Sequence, residues 1–160
     1  MAYVDEAGFA SVHPNRSAWT PVGEQHLIEA RRGKRLNVLG ALCSSGAFIS
    51  ARLWCCVNSA LFVGFLGLLK ARIAKPLVVI LDNASIHKAK VTQPIVKYLE
   101  KQAVHLYFLP PYSPELNRIE CVWHKMKHTW MEVKHRTEEM LEADICHILD
   151  NFGSKFKFAF

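Results

Sequence analysis

Leu77-Val78-Val79-Ile80-Leu81 runs straight into Asp82-Asn83. Five apolar residues without alternation describe a strand covered on both faces, as in parallel sheets. The carboxylate that ends it is poorly placed for solvation. Yet the C-terminal edge of such strands is where α/β proteins bind their ligands. Downstream, a helix is predicted over residues 94–102. Val104-His-Leu-Tyr-Phe-Leu109 then forms another strand, which Pro110-Pro111 stops. Upstream, Asn58 caps a predicted helix through Ile73, with Leu61, Phe62, Phe65, Leu66, Leu68 and Leu69 at helical spacing. Gly64 and Gly67 weaken that pattern. Earlier still, residues 26–31, 36–42 and 47–53 are strand-length. The breaks at Gly33 and Ser44-Ser45-Gly46 favour an antiparallel meander. Residues 1–5 read as a short first strand, and 12–24, with Pro14, Pro21 and Gly23, as a loop or irregular hairpin. Beyond the second proline pair, a helix is predicted from Leu116 to about Val133. Thr137 caps a last one, whose face carries Met140, Leu141, Ile145, Ile148 and Leu149. Early antiparallel strands followed by a βαβα run predict an α/β protein, a mixed sheet with helices on its faces.

The chain has 160 residues, 51% hydrophobic and 21% charged, which excludes a disordered polymer and favours one domain. A membrane span is not expected, since the least charged stretch, 53–69, is short of the roughly 20 apolar residues required and is broken by Asn58 and Ser59. The N-terminus lacks the basic and apolar segments of a secretory signal. A net charge of +6 points weakly to a polyanionic partner. The five cysteines, Cys43, Cys55, Cys56, Cys121 and Cys146, have no CxxC spacing and are odd in number. They are expected as reduced thiols, mostly buried, in a cytoplasmic protein.

Three acidic residues stand out by context. Asp5 ends the first predicted strand, Asp82 ends the apolar strand, and Glu120 opens a helix after Pro110-Pro-Tyr-Ser-Pro-Glu-Leu-Asn-Arg-Ile119. Two strand-end carboxylates and one from a neighbouring helix can converge on divalent cations, because Mg²⁺ prefers oxygen ligands. Without metal, such a cluster repels itself and raises at least one pKa. The alternative is that the three are unrelated turn, cap and surface residues.

Tyr3-Val-Asp5-Glu6-Ala-Gly8-Phe9, Leu81-Asp82-Asn83-Ala-Ser-Ile-His87-Lys88 and Leu109-Pro-Pro-Tyr-Ser-Pro114-Glu-Leu-Asn117-Arg-Ile-Glu120-Cys-Val-Trp123 resemble, in this order, the three motif blocks of DDE-superfamily transposases. The similarity is to the bacterial insertion-sequence branch related to mariner elements. Trp19-Thr-Pro21-Val-Gly23 resembles the loop after that family's first strand. The resemblance extends over nearly the whole chain. It implies an RNase H-like fold, a mixed five-stranded sheet of three antiparallel strands followed by parallel ones. It also implies two Mg²⁺ ions, for which Mn²⁺ can substitute, held by Asp5, Asp82 and Glu120, and cleavage and strand transfer on double-stranded DNA at transposon ends. A homo-oligomer on DNA and a cytoplasmic, nucleoid-associated setting in a bacterium follow from the same resemblance. Asn83 and His87 match recurring positions beside the second aspartate, with supporting or DNA-contact roles. Glu6, next to Asp5 on a strand, points to the opposite face and is not expected to bind metal. The sequence departs from the family in lacking a helix-turn-helix region before Met1, in a first strand clipped close to Asp5, and in Arg118 where proline is common. An inactive DNA-binding or interaction remnant of the same fold is therefore the alternative reading.

Other residues extend the possible DNA surface. Arg31-Arg32-Gly33-Lys34-Arg35 is a basic turn suited to phosphates, or a solvated hairpin tip. Glu120, His124 and His128 lie at i, i+4 and i+8. With Lys127 alongside, they make a stripe for the DNA backbone, a solvated face or a transition-metal site. Trp123 reads as a core residue. Phe152, Phe156, Phe158 and Phe160 either cap the core or form an exposed apolar edge.

Overall fold

The computed structural model describes residues 1–11, 20–24, 34–84, 87, 90, 93–132 and 134–158. The elements run β1 (Ala2–Ala10), β2 (Arg35–Cys43), β3 (Phe48–Leu53), α1 (Ser59–Arg72), β4 (Leu77–Leu81), α2 (Gln93–Lys101), β5 (Val104–Phe108), α3 (Ile119–Lys125) and α4 (Glu138–Asp150). The sheet order is β3-β2-β1-β4-β5. The β1–β2 and β2–β3 pairs are antiparallel, and β1–β4 and β4–β5 are parallel. This is the mixed five-stranded sheet expected. The strand foreseen over residues 26–31 lies outside the described residues.

Each face of the sheet has its own core, because strand side chains alternate. Ala2, Val4, Leu39 and Ala41 face Phe62, Phe65, Leu66 and Leu69 of α1. Ala7, Phe9, Leu36, Val38 and Leu42 face Ile119, Val122 and Trp123 of α3 and Leu141, Ile145 and Ile148 of α4. Asn58 caps α1 by accepting from the Leu61 N–H at 3.0 Å, and Thr137 caps α4 by accepting from Met140 at 3.3 Å. Phe152, Phe156 and Phe158 pack on the second core, so the C-terminal phenylalanines cap it; Phe160 is outside the described residues. Arg136, 1% exposed, anchors the α4 side. Its guanidinium donates to Asp144 at 2.6 Å and to the carbonyls of Glu132 and Lys134.

Four expectations need correction. The strand at 77–81 is not covered on both faces: Leu77, Val79 and Leu81 are buried, but Val78 is 42% exposed. The first strand does not stop at Asp5 but runs to Ala10, because Ala7 and Phe9 continue the buried alternation and pair with Val38 and Leu36. The helix foreseen over 116–133 is three pieces. A 3-10 turn (Pro114–Leu116) precedes α3, and a π turn (Met126–Trp130) follows it. The π turn closes with Met131 N–H on the Met126 carbonyl at 3.1 Å, which lets both Met126 and Met131 reach the core. Only Cys43 is buried: Cys55, Cys56 and Cys121 are exposed and Cys146 is half-buried, all as free thiols. Their backbone positions lie at loops and helix surfaces, where sulfur's apolar character does not decide burial. Among the described residues no helix is long and apolar enough to cross a membrane.

Candidate active site

β1 and β4 run parallel and adjacent, with Ala2 opposite Val79 and Tyr3 opposite Ile80. The register therefore carries Asp5 in mid-β1 toward the same sheet edge at which Asp82 leaves β4. α3 crosses that edge, contacts β1, and presents Glu120 from its first turn. A cleft of about 430 Å³ opens there, lined by Asp82, Asn83, Pro110, Tyr112, Asn117 and Glu120.

Each carboxylate is held differently. Asp82 is half-exposed, and its Oδ1 accepts the Ala84 N–H at 3.0 Å and lies 2.9 Å from His87 Nδ1. Asp5 is more enclosed. Its Oδ2 accepts the indole N–H of Trp123 at 3.1 Å. Its pKa is raised from 3.8 to about 7, first by burial and then by the negative charge of Glu120, with Asp82 adding to it. The backbone N–H of Glu6 and the Trp123 indole oppose the rise. Residues far apart in the chain thus share one field. Among the described residues, no three His, Cys, Asp or Glu side chains stand close enough to enclose a metal ion as they are placed. That holds for Glu120, His124 and His128, and equally for Asp5, Asp82 and Glu120, whose carboxylates would have to draw together to share an ion.

The neighbouring candidates divide by position. His87 is 4% exposed, stacked on Phe62 with ring centroids 4.3 Å apart, so it supports Asp82 from the core side and is not open to DNA. The Asn83 amide donates to the Leu109 carbonyl and ties the end of β4 to the loop after β5. Lys127 is half-buried, 5.5 Å from the Phe9 ring centroid. Its pKa is lowered by burial and by Arg35, against the pull of Glu120 and Asp5. It therefore belongs to the acidic edge itself. The His124 and His128 rings stack at 4.6 Å on the exposed side. Lys34 is exposed and paired with Glu138 at 3.1 Å. The Arg35 guanidinium fills the space where a Cβ on Gly8 would stand. Arg31 and Arg32 lie outside the described residues. Arg118 lies 6.0 Å from the Tyr3 ring centroid.

Glu6 projects to the other face, into a separate hollow shared with Gly8 and Arg35, as strand alternation requires. Burial and Asp82 raise its pKa while His87 and Arg35 oppose this. If the site cuts DNA, as the resemblance implies, Glu6→Gln should leave plasmid nicking within about twofold of wild type, since its carboxylate is on the wrong face.

Two residues of the site have features that the sequence did not indicate. Tyr112, at the cleft rim, is fully exposed with φ of 56°. A left-handed bulky residue is costly, by about 1–2 kcal/mol. Tyr112→Gly is expected to raise unfolding stability by up to about 1 kcal/mol, read from a urea midpoint, because the strain goes while glycine's chain entropy is added. Trp123 was read as core and is 2% exposed, but its N–H reaches Asp5. An indole needs a partner for that N–H when buried, which is the signal that was available.

Residues 1–142 match the family described as DDE superfamily endonuclease. No curated protein matches the sequence. Among solved structures, the catalytic domain of Mos1 mariner transposase superposes with TM-score 0.65 at 17% identity, covering 96% of this chain and 70% of that one. The Mos1 strand transfer complex gives TM-score 0.70 at 21% identity, covering 96% of this chain and 47% of that one. The Mos1 mariner paired end complex with Mn gives 0.71 at 18%, covering 96% and 48%. The fold is thus the RNase H-like one of transposase catalytic domains, and the chain spans about half the length of the Mos1 chains in those complexes.

Proposed function

Because the chain belongs to the DDE superfamily endonucleases, we propose that it is a transposase catalytic domain that cuts DNA at transposon ends and joins the freed ends to target DNA. Asp5, Asp82 and Glu120 are the metal-binding and catalytic carboxylates. The observation that carries this reading is the meeting of β1, β4 and α3 at one sheet edge, which brings Asp5, Asp82 and Glu120 to the same side.

The donor set fits hard divalent cations. All three groups offer carboxylate oxygens, and their mutual repulsion is the charge deficit that a cation relieves. Mg²⁺ is the expected ion, as a pair, with Mn²⁺ as substitute. Bound there, the ions would supply Lewis-acid stabilisation of the attacking and leaving oxygens of an in-line phosphoryl transfer. The protein's part is placement. The Ala84 N–H and His87 set the Asp82 carboxylate, Asn83 fixes the loop that forms the cleft wall, and α3 brings Glu120 across. Lys127 beside the acidic edge and Arg35, Lys34, His124 and His128 farther out meet DNA phosphates. Water, then a 3′-OH, is the nucleophile, so no covalent protein–DNA intermediate forms. The protein acts as an oligomer on DNA, in the cytoplasm at the bacterial nucleoid.

The test is a paired assay in Mn²⁺, with supercoiled-plasmid nicking and joining of a precut 3′-OH oligonucleotide. Both activities are expected. Nicking without joining would mean a general nuclease. No activity, together with no carboxylate-dependent Mn²⁺ uptake by calorimetry, would mean an inactive remnant.

A further inference from the structure

Trp123 and Gly40 form a device for which the reading above has no use. Asp5 pairs with Gly40 across β1 and β2. The Trp123 ring lies on that glycine: a Cβ at Gly40 would stand 2.6 Å from the indole Cη2, 2.7 Å from Cζ2, and 2.8 Å from Phe48 Cζ. Phe48 and Phe9 hold the indole by its edges, with centroids 5.6 and 6.2 Å away and interplanar angles of 88° and 73°. The ring is therefore fixed in three directions, by a flat floor that only glycine provides and by two aromatic walls. The Nε1–H that it aims at Asp5 Oδ2 sits at 3.1 Å.

The same helix carries Glu120 three residues earlier, so Glu120 and Trp123 are neighbours on one face of α3. Moving α3 moves a carboxylate and the clamp on another carboxylate together. A hydrogen bond to an ionised acceptor is among the stronger kind. One oxygen taken by the indole leaves the remaining lone pairs of Asp5 in a set direction. Without the indole, the Glu6 backbone N–H is left to hold the carboxylate, which can then turn from the repelling Glu120.

We infer that Trp123, seated on Gly40, is a positioning residue that orients the Asp5 carboxylate for divalent-cation binding and ties its placement to that of Glu120. This rests on the metal-site reading above. Removing an outer hydrogen-bond partner of a metal ligand typically costs about 10- to 100-fold in affinity.

The experiment measures Mn²⁺ binding by calorimetry and Mn²⁺-dependent nicking for wild type, Asp5→Ala, Trp123→Phe, and a protein carrying 3-benzothienylalanine at position 123. That last side chain keeps the indole's shape and lacks its N–H, so it tests the hydrogen bond in a folded core even if the phenylalanine variant unfolds. Both position-123 proteins are expected to bind Mn²⁺ about 10- to 100-fold more weakly. Half-saturating Mn²⁺ for nicking should rise in proportion, with half-saturating DNA unchanged. Gly40→Ala should act in the same direction by lifting the ring. A benzothienyl protein with wild-type Mn²⁺ affinity, where Asp5→Ala has lost binding, overturns the role of the indole alone. Wild-type protein that takes up no Mn²⁺, or an Asp5→Ala variant that binds normally, overturns the site reading and this inference together.

Discussion

Asp82→Asn is expected to abolish Mn²⁺-supported nicking while the protein stays folded. The substitution keeps the size of the side chain and an oxygen to accept the Ala84 N–H at the end of β4. Asp82 is half-exposed, so no core packing is lost. What goes is one negative charge of three at the sheet edge. Metal ions contribute several kcal/mol of transition-state stabilisation, and at about 1.4 kcal/mol per decade this predicts a fall on the order of 10³-fold or more. Circular dichroism and the thermal midpoint should match wild type. A variant that nicks at the wild-type rate would remove Asp82 from the site.

The second large effect concerns Asp5 in the metal-free protein. Its folded pKa of about 7 lies above the 3.8 of an exposed aspartate. Below pH 4 the group is neutral in both folded and unfolded chains and costs nothing. As pH rises from about 4 to about 7, the unfolded chain releases the proton first, and folding is progressively disfavoured. Three pKa units set an upper limit of about 4 kcal/mol for the loss that is complete above pH 7. Asp5→Asn should therefore unfold at a higher temperature than wild type at pH 8, and the gap should close by pH 4. Urea titrations at the two pH values check this. Equal pH dependence in both proteins would contradict the strained-carboxylate account. Mn²⁺ at pH 6 should displace a proton from wild type, visible as a buffer-dependent binding heat, and less of it from Asp5→Asn.

Much of the fold was legible because its cues are local. Leu77–Leu81 is the strand its apolar run announces, though buried on one face only, and Asn58 and Thr137 sit where the caps of α1 and α4 are found. The end of β1 was missed because Asp5-Glu6 interrupts the apolar alternation. The pairing of Gly8 with Asn37 and of Phe9 with Leu36 carries the strand on regardless, and pairing is a long-range fact. The break after α3 was missed for a similar reason. Residues 126–130 have ordinary helical composition, and only the need to seat Met126 and Met131 in one core favours the wider turn. At the site, the motif blocks point to three acids in sequence order. They did not indicate that His87 is sealed under Asp82, that Lys127 folds in beside Asp5 and Glu120, or that Trp123 reaches Asp5. Those placements depend on how α1 and α3 pack across the sheet, and no local pattern encodes that.

The central claim is that Asp5, Asp82 and Glu120 jointly hold divalent metal. The direct measurement is anomalous diffraction at the manganese edge from crystals of this protein soaked in Mn²⁺. The account predicts density between the three carboxylates, at roughly 2.0–2.2 Å from an oxygen of each coordinating group, lost in Asp82→Asn crystals. Ordered carboxylates with no manganese among them, at concentrations that support nicking, would contradict it.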